Sequence, residues 1–198
     1  MSEPLPFVAF ADPGGTVCGL AVGDAPLIGT DVPDPAAGEV AGALADAGSA
    51  FRAITIADLP AVSGTLPHPA GADSLRLAVA LFGERSFALS GLRPRRARGH
   101  DRDEIQAVVY EAGEARPVED PRVSVTFAGT GDPRRVGLEL WLQESEDGTF
   151  EFPRRAAGEI HSGPVELQSS AVTGVAHPVQ WRSRGEDGSG WFAVLRAR

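Results

Sequence analysis

At 198 residues, with 42% hydrophobic and 23% charged side chains, the chain holds enough apolar material for one well-buried core, is short for two, and has the balance of a globular domain, which excludes wholesale disorder. Its net charge of −9 repels phosphate backbones and anionic headgroups, which argues against general nucleic-acid binding and attachment to acidic membranes. All 18 Lys+Arg positions are arginine, so a Schiff-base or P-loop lysine is excluded, and no run approaches the roughly 18 apolar residues of a membrane-spanning helix.

With 24 Gly and 16 Pro, the chain must turn often between short elements, which favours strands over helices. Phe7 to Phe10, the turn Asp12-Pro13-Gly14-Gly15, and Val17 to Val22 read as strand, turn and strand. Cys18 lies in the second of these, where a buried small hydrophobe is the expected role. A lone cysteine excludes an internal disulfide, and with no signal-peptide pattern at the start it predicts a cytoplasmic protein. Gly23-Asp24 turns the chain into Pro26 to Thr30. The Val40/Leu44 spacing predicts one short helix within 36–47, capped by Asp34 before Pro35.

Beyond that point period two dominates. Phe51, Ile54 and Ile56 begin a strand. Leu75, Leu77, Val79 and Leu81 alternate and so share one strand face. Gly83-Glu84 turns into Phe87 and Leu89. An arginine-rich stretch follows, Arg93, Arg95, Arg96, Arg98 and Arg102, balanced by Asp101, Asp103 and Glu104 and read as a self-paired loop. Ile105 to Glu111, Val123 to Phe127, Val136 to Leu142, Phe150 and Phe152, Ile160 to Leu167, Val175 to Arg184 and Trp191 to Arg196 complete roughly a dozen strands. The chain is thus either one domain over 1–198 or two fused halves, 1–92 and 104–198, joined by the arginine-rich loop.

Chemistry-bearing motifs are sparse. His68 and His177 each precede a proline and are placed on loops. No histidine shares a ligand spacing with another or with Cys18, so no metal and no cofactor is expected. His100 sits among Asp101, Asp103 and Glu104, where a general base or an ordinary polar loop both fit. Glu159 and His161 share a strand face opposite Ile160. They form a surface pair if Ile160 faces a dry core, or a polar pocket if the strand lines a barrel. There is no nucleophile elbow around Ser189, and Gly129-Thr130-Gly131 lacks the rest of a dinucleotide fingerprint.

The tryptophans give the better lead. Trp141, Trp181 and Trp191 all fall in the C-terminal half. Val136, Leu138, Leu140 and Leu142 share one face of their strand, which leaves Glu139, Trp141 and Gln143 on the other. A tryptophan beside hydrogen-bonding groups suits either the end of a sheet or the wall of a cavity with a polar rim.

Gly137-Leu138-Glu139-Leu140-Trp141, Pro153 to Glu159, and Trp181 through Gly190-Trp191-Phe192-Ala193-Val194-Leu195-Arg196 together resemble the C-terminal part of an uncharacterised actinobacterial family. More distantly, the strand-rich plan is similar to that of lipocalin-like proteins related to carotenoid hydratases. That resemblance implies a barrel or sandwich with an apolar cavity.

The expectation is an all-β fold, an antiparallel barrel or sandwich of lipocalin-like type with at most one short helix. Its expected function is binding an apolar small molecule, with Trp141, Glu139, His161 and Glu159 as candidate contacts. Two alternatives stand beside it: a lyase, hydratase or isomerase of isoprenoid-like substrates, and a protein-interaction or structural module without a small-molecule site.

Overall fold

A computed structural model describes residues 3–96, 103–142 and 152–198. Five short strands open the fold: β1 (Leu5–Ala11), β2 (Cys18–Val22), β3 (Ile28–Thr30), β4 (Arg52–Ile56) and β5 (Leu59–Leu66). They form an antiparallel sheet in the order β3-β2-β1-β5-β4. The helix α1 (Ala36–Ala45) covers one face, where Ala36 and Val40 pack on Val8, Phe10, Ala21, Ile56 and Ala61. Its cap differs from the expected one. Pro35 occupies the N-cap and no side chain caps the helix; Pro35 already supplies helical backbone geometry there, so the helix starts without a contribution from Asp34.

Nine further strands follow: β6 (Ala72–Leu81), β7 (Arg85–Pro94), β8 (Glu104–Glu111), β9 (Glu114–Phe127), β10 (Pro133–Leu142), β11 (Arg154–Glu159), β12 (Val165–Gln168), β13 (Val172–Ser183) and β14 (Glu186–Ala197). The ladder runs β11-β10-β9-β8-β7-β6-β14-β13, and Ala157–Glu159 of β11 pair back onto Gln180–Arg182 of β13. That closes an eight-stranded antiparallel barrel, in keeping with the lipocalin-like expectation. β12 is a flap on the other half of β13, with Val165 to Gln168 opposite Ala176 to Thr173. The step from sheet to barrel falls between Leu66 and Ala72, and the arginine-rich loop joins two paired strands, β7 and β8.

The five-stranded sheet stacks its second face on the outside of the barrel. Phe7, Ala9, Leu20, Val22 and Val62 meet Leu75, Leu77, Val79, Leu81, Trp191, Ala193 and Leu195 from β6 and β14. The alternation Leu75-Leu77-Val79-Leu81 therefore marks the outer face of a wall that is dry on both sides. Its inner face carries Ala78, Ala80 and Phe82, which join Phe87, Leu89, Val109, Leu138, Leu140, Trp181 and Phe192 in the barrel core.

Trp181 fills one end of the barrel, and two glycines make room for it. The indole passes over Gly190 of β14 and donates from Nε1 to the carbonyl of Val79, 2.9 Å away on β6. A Cβ at Gly190 would lie 2.1 Å from that carbonyl oxygen, and one at Gly158 would lie 2.8 Å from the Trp181 ring. No side chain fits at such distances, so glycine is required at both positions. The same end is tied by Arg154 to Glu111, and by Arg85 to Glu186 with the Arg85 guanidinium 5.2 Å from the Phe82 ring centre.

Candidate functional site

The opposite end of the barrel is built differently. β8 and β9 are paired only where Val108–Glu111 face Glu114–Pro117. Beyond that the two strands part: Glu104–Ala107 pair with β7 alone, and Val118–Phe127 with β10 alone. A cleft of about 740 Å³ lies in the gap, lined by Asp103, Ile105, Pro121, Arg122, Val123 and Val125, with Asp120 and Ser124. The irregular sequence of β9 fits this behaviour. Pro117 and Pro121 cannot donate to a ladder, and the register of β9 against β10 shifts between Val118 and Asp120.

Inward-facing side chains near the gap are apolar yet only half-buried. Ile105, Val123, Val125, Ile160 and Val194 all pack against the barrel core and all retain solvent contact. Around the filled end, by contrast, Phe82, Phe87, Leu140 and Trp181 are almost completely buried. The interior thus grades from solid core to an accessible apolar mouth.

Charged and polar groups belong to the same inner face. Arg76 of β6 stands in register with Val194 of β14 and Gly91 of β7, which in turn faces Ile105. Its Nη1 is 3.7 Å from Oδ2 of Asp103, and Arg93 reaches Oδ1 of the same carboxylate at 3.4 Å. Asp103, with a side chain only 2% exposed, therefore links β6 and β7 to the start of β8.

His177 lies in the middle of β13, not on a loop as the following proline had suggested. The residue before proline is driven to extended geometry, which a strand satisfies as well as a loop. Pro178 falls where β13 exchanges one partner for another, between the residues paired to β12 and those paired to β11, so its missing donor breaks no ladder. His177 is 1% exposed. Neither ring nitrogen has a hydrogen-bond partner among the described residues. Burial pushes its pKa below the ordinary histidine value, with Asp132 opposing the shift, so the ring is neutral at neutral pH.

The four residues singled out from the sequence lie on the outer face of β10 and β11 and just beyond. Glu139 accepts from Trp141 Nε1 at 2.9 Å and from Arg155 Nε at 2.8 Å, while Arg122 stands 3.9 Å away. These donors, Arg155 first, hold the Glu139 carboxyl below the usual glutamate range. Glu159 pairs with Arg135 at 3.3 Å and with His161 at 3.4 Å. Ile160 packs toward the barrel core, so the Glu159–His161 pair faces solvent. Shallow grooves of about 550 and 440 Å³ run past Glu139 and past Glu159 and His161. His100, Asp101, Arg102 and Gln143 lie outside the described residues.

Sequence reasoning missed Arg76, Asp103 and His177 as a common inner face. The one available signal was Arg76 itself, a charge inside the otherwise apolar run Leu75–Leu81. Cys18 is buried against the sheet–barrel core as expected. Among the described residues no cluster of metal-ligating side chains is present, and no helix is long and apolar enough to cross a membrane. The chain matches no family model and no curated protein sequence.

Proposed function

We propose that this protein binds a small molecule with an apolar body in the accessible half of its barrel, entering where β8 and β9 part. The observation that carries the reading is that the inward-facing, half-exposed Ile105, Val123 and Val125 line a cleft of about 740 Å³, with Ile160 and Val194 half-exposed on the same inner face. That volume falls within the range of small-molecule sites, which are mostly apolar with a few placed polar groups. Exposed apolar surface facing into a barrel is costly unless something covers it. Kinship with the lipocalin-like proteins suggested by the strand plan belongs to the same proposal.

The test is titration with a neutral apolar fluorophore, N-phenyl-1-naphthylamine. Saturable binding of one probe per chain, weakened by about tenfold or more in Ile105→Glu and in Val123→Asp, is the expected result. Absence of saturable binding by the folded protein overturns the reading.

A second reading has its own observation. The free edges of β8 and β9 face one another across the cleft, and such edges accept an extended peptide strand. Slowed amide exchange at Glu104–Ala107 on adding a peptide, with no fluorophore bound, would favour it.

A further inference from the structure

We propose that His177 is the hydrogen-bonding anchor of the barrel site and holds the hydroxyl group of an otherwise apolar alcohol. The inference rests on the binding function proposed above and specifies its ligand.

Position is the first argument. On β13 the inner-face positions are Val175, His177, Val179 and Trp181. Ala176 and Val172 pack outward against the sheet, while Val179 and Trp181 belong to the barrel core. Val175 stands opposite Val194 of β14, and Val194 stands opposite Arg76 of β6. Both valines are half-exposed at the mouth. His177, opposite Phe192, is one inner step deeper. It lies at the level where accessible lining gives way to solid core, which is where the innermost end of a guest would stop.

Hydrogen-bonding capacity is the second. A neutral imidazole presents one N–H donor and one lone-pair acceptor. Both are buried on His177 and neither is satisfied among the described residues, although buried polar groups in folded proteins are nearly always paired. The other buried groups without partners among the described residues are the hydroxyls of Ser63 and Ser183 and the Trp191 Nε1, and Trp191 packs outside the barrel against the five-stranded sheet. An alcohol hydroxyl both donates and accepts, so one such group can serve either nitrogen in either tautomer. An ether can only accept, and a carboxylate can only accept while also bringing a negative charge.

Charge is the third. Asp103, Asp120 and Arg122 line the cleft, with Arg122 bonded to Asp120. Arg76 and Arg93 are both engaged by Asp103. The charges at the mouth are thus engaged with one another, and an anionic head at the depth of His177 meets a neutral ring that cannot offset its charge, so the surroundings favour an uncharged polar head.

The experiment displaces bound N-phenyl-1-naphthylamine with three ten-carbon competitors at neutral pH: 1-decanol, decyl methyl ether and decanoate. Decanol is expected to compete about tenfold better than either of the others, and His177→Leu is expected to erase that preference while still binding the fluorophore. In the unsubstituted protein, the ring nitrogens of His177, followed by nitrogen-15 NMR, should shift on adding decanol and not on adding the ether. If the fluorophore does not bind, the barrel-binding function falls and this inference with it. If the fluorophore binds but the three competitors are equal, or decanoate prevails, His177 is not the anchor and the binding function stands. Ring-nitrogen signals that ignore decanol, as for a histidine satisfied by water only, overturn the inference even if His177→Leu fails to fold.

Discussion

Arg154 grips Glu111 with both arms of its guanidinium, Nε to Oε1 and Nη2 to Oε2, each at 2.7 Å. The two residues come from β11 and β8, with β9 and β10 between them in the ladder, so the pair spans a quarter of the barrel's inner surface or more without a backbone bond. Both side chains are largely buried, at 10% and 17% exposure. The Arg154 contact, followed by weaker attraction to Arg184 and Arg85, holds the Glu111 carboxyl below 4.5 against the opposing effect of burial.

Acid sensitivity follows from the sign of that shift. A carboxyl with a depressed pKa in the folded state stabilises the protein above its unfolded value and loses that contribution as pH falls through the folded one. Stability should therefore decline below about pH 4.5. Glu111→Gln should cost about 2–4 kcal/mol at neutral pH, because it leaves a buried guanidinium short of its main acceptor, and should flatten part of the acid decline. Urea unfolding at a series of pH values measures both effects.

The tryptophan seat gives a steric prediction. Gly190→Ala places a methyl group 2.1 Å from the Val79 oxygen and should cost more than about 3 kcal/mol. Trp181→Phe keeps most of the ring volume and loses the bond to Val79, for a cost of about 1–3 kcal/mol. Denaturant midpoints at an unchanged slope would check both.

The three tryptophans should separate optically. Trp141 is 36% exposed, while Trp181 and Trp191 are almost completely buried. Iodide should quench only the red-shifted part of the emission, and Trp141→Phe should remove that part with a stability change within about 1 kcal/mol. Iodide quenching that survives Trp141→Phe would mean that a second tryptophan reaches solvent.

Cys18 offers a probe of opening. It is buried, and that burial raises its thiol pKa above 9.0 against hydrogen bonds with Thr30. Reaction with a disulfide reagent at mildly alkaline pH should proceed at the rate at which β2 and β3 open, and should become immediate in denaturant. Rapid stoichiometric labelling of the native protein would contradict this placement.

The strand alternations were legible in the sequence, and the side each strand presents was legible only in part. Val136-Leu138-Leu140-Leu142 marked one face of β10 but not its direction, and that face turns inward, which leaves Trp141 and Glu139 outside. Leu75-Leu77-Val79-Leu81 marked a real face but concealed its direction, since β6 is covered on both sides and Ala78 and Ala80 look neutral beside leucine. Closure of the ring rests on Ala157–Glu159 meeting Gln180–Arg182, a long-range register that no local pattern encodes. The candidate site was harder still. Trp141 and Glu139 attracted attention because aromatic and acidic residues stand out in a sequence. The extended geometry before Pro178 fits a loop as well as a strand, and the lack of partners on the His177 ring among the described residues emerges only once the strands are assembled.

The stacking of the five-stranded sheet on β6 and β14 has a mechanical consequence. A ring braced along one arc cannot widen evenly. Leu75, Leu77, Val79, Trp191 and Leu195 are locked against a second layer, which reaches as far as β8 through Val108 and the Tyr110 hydroxyl on the Phe51 carbonyl, while the seam between β8 and β9 is stitched by only a few paired residues at that end. Any dilation is concentrated at the seam, in the manner of a clasp with a stiff back. The inner girth of the ring is then set by how far that clasp can spread, and stitching more of β8 to β9 would tighten the whole ring without touching its lining.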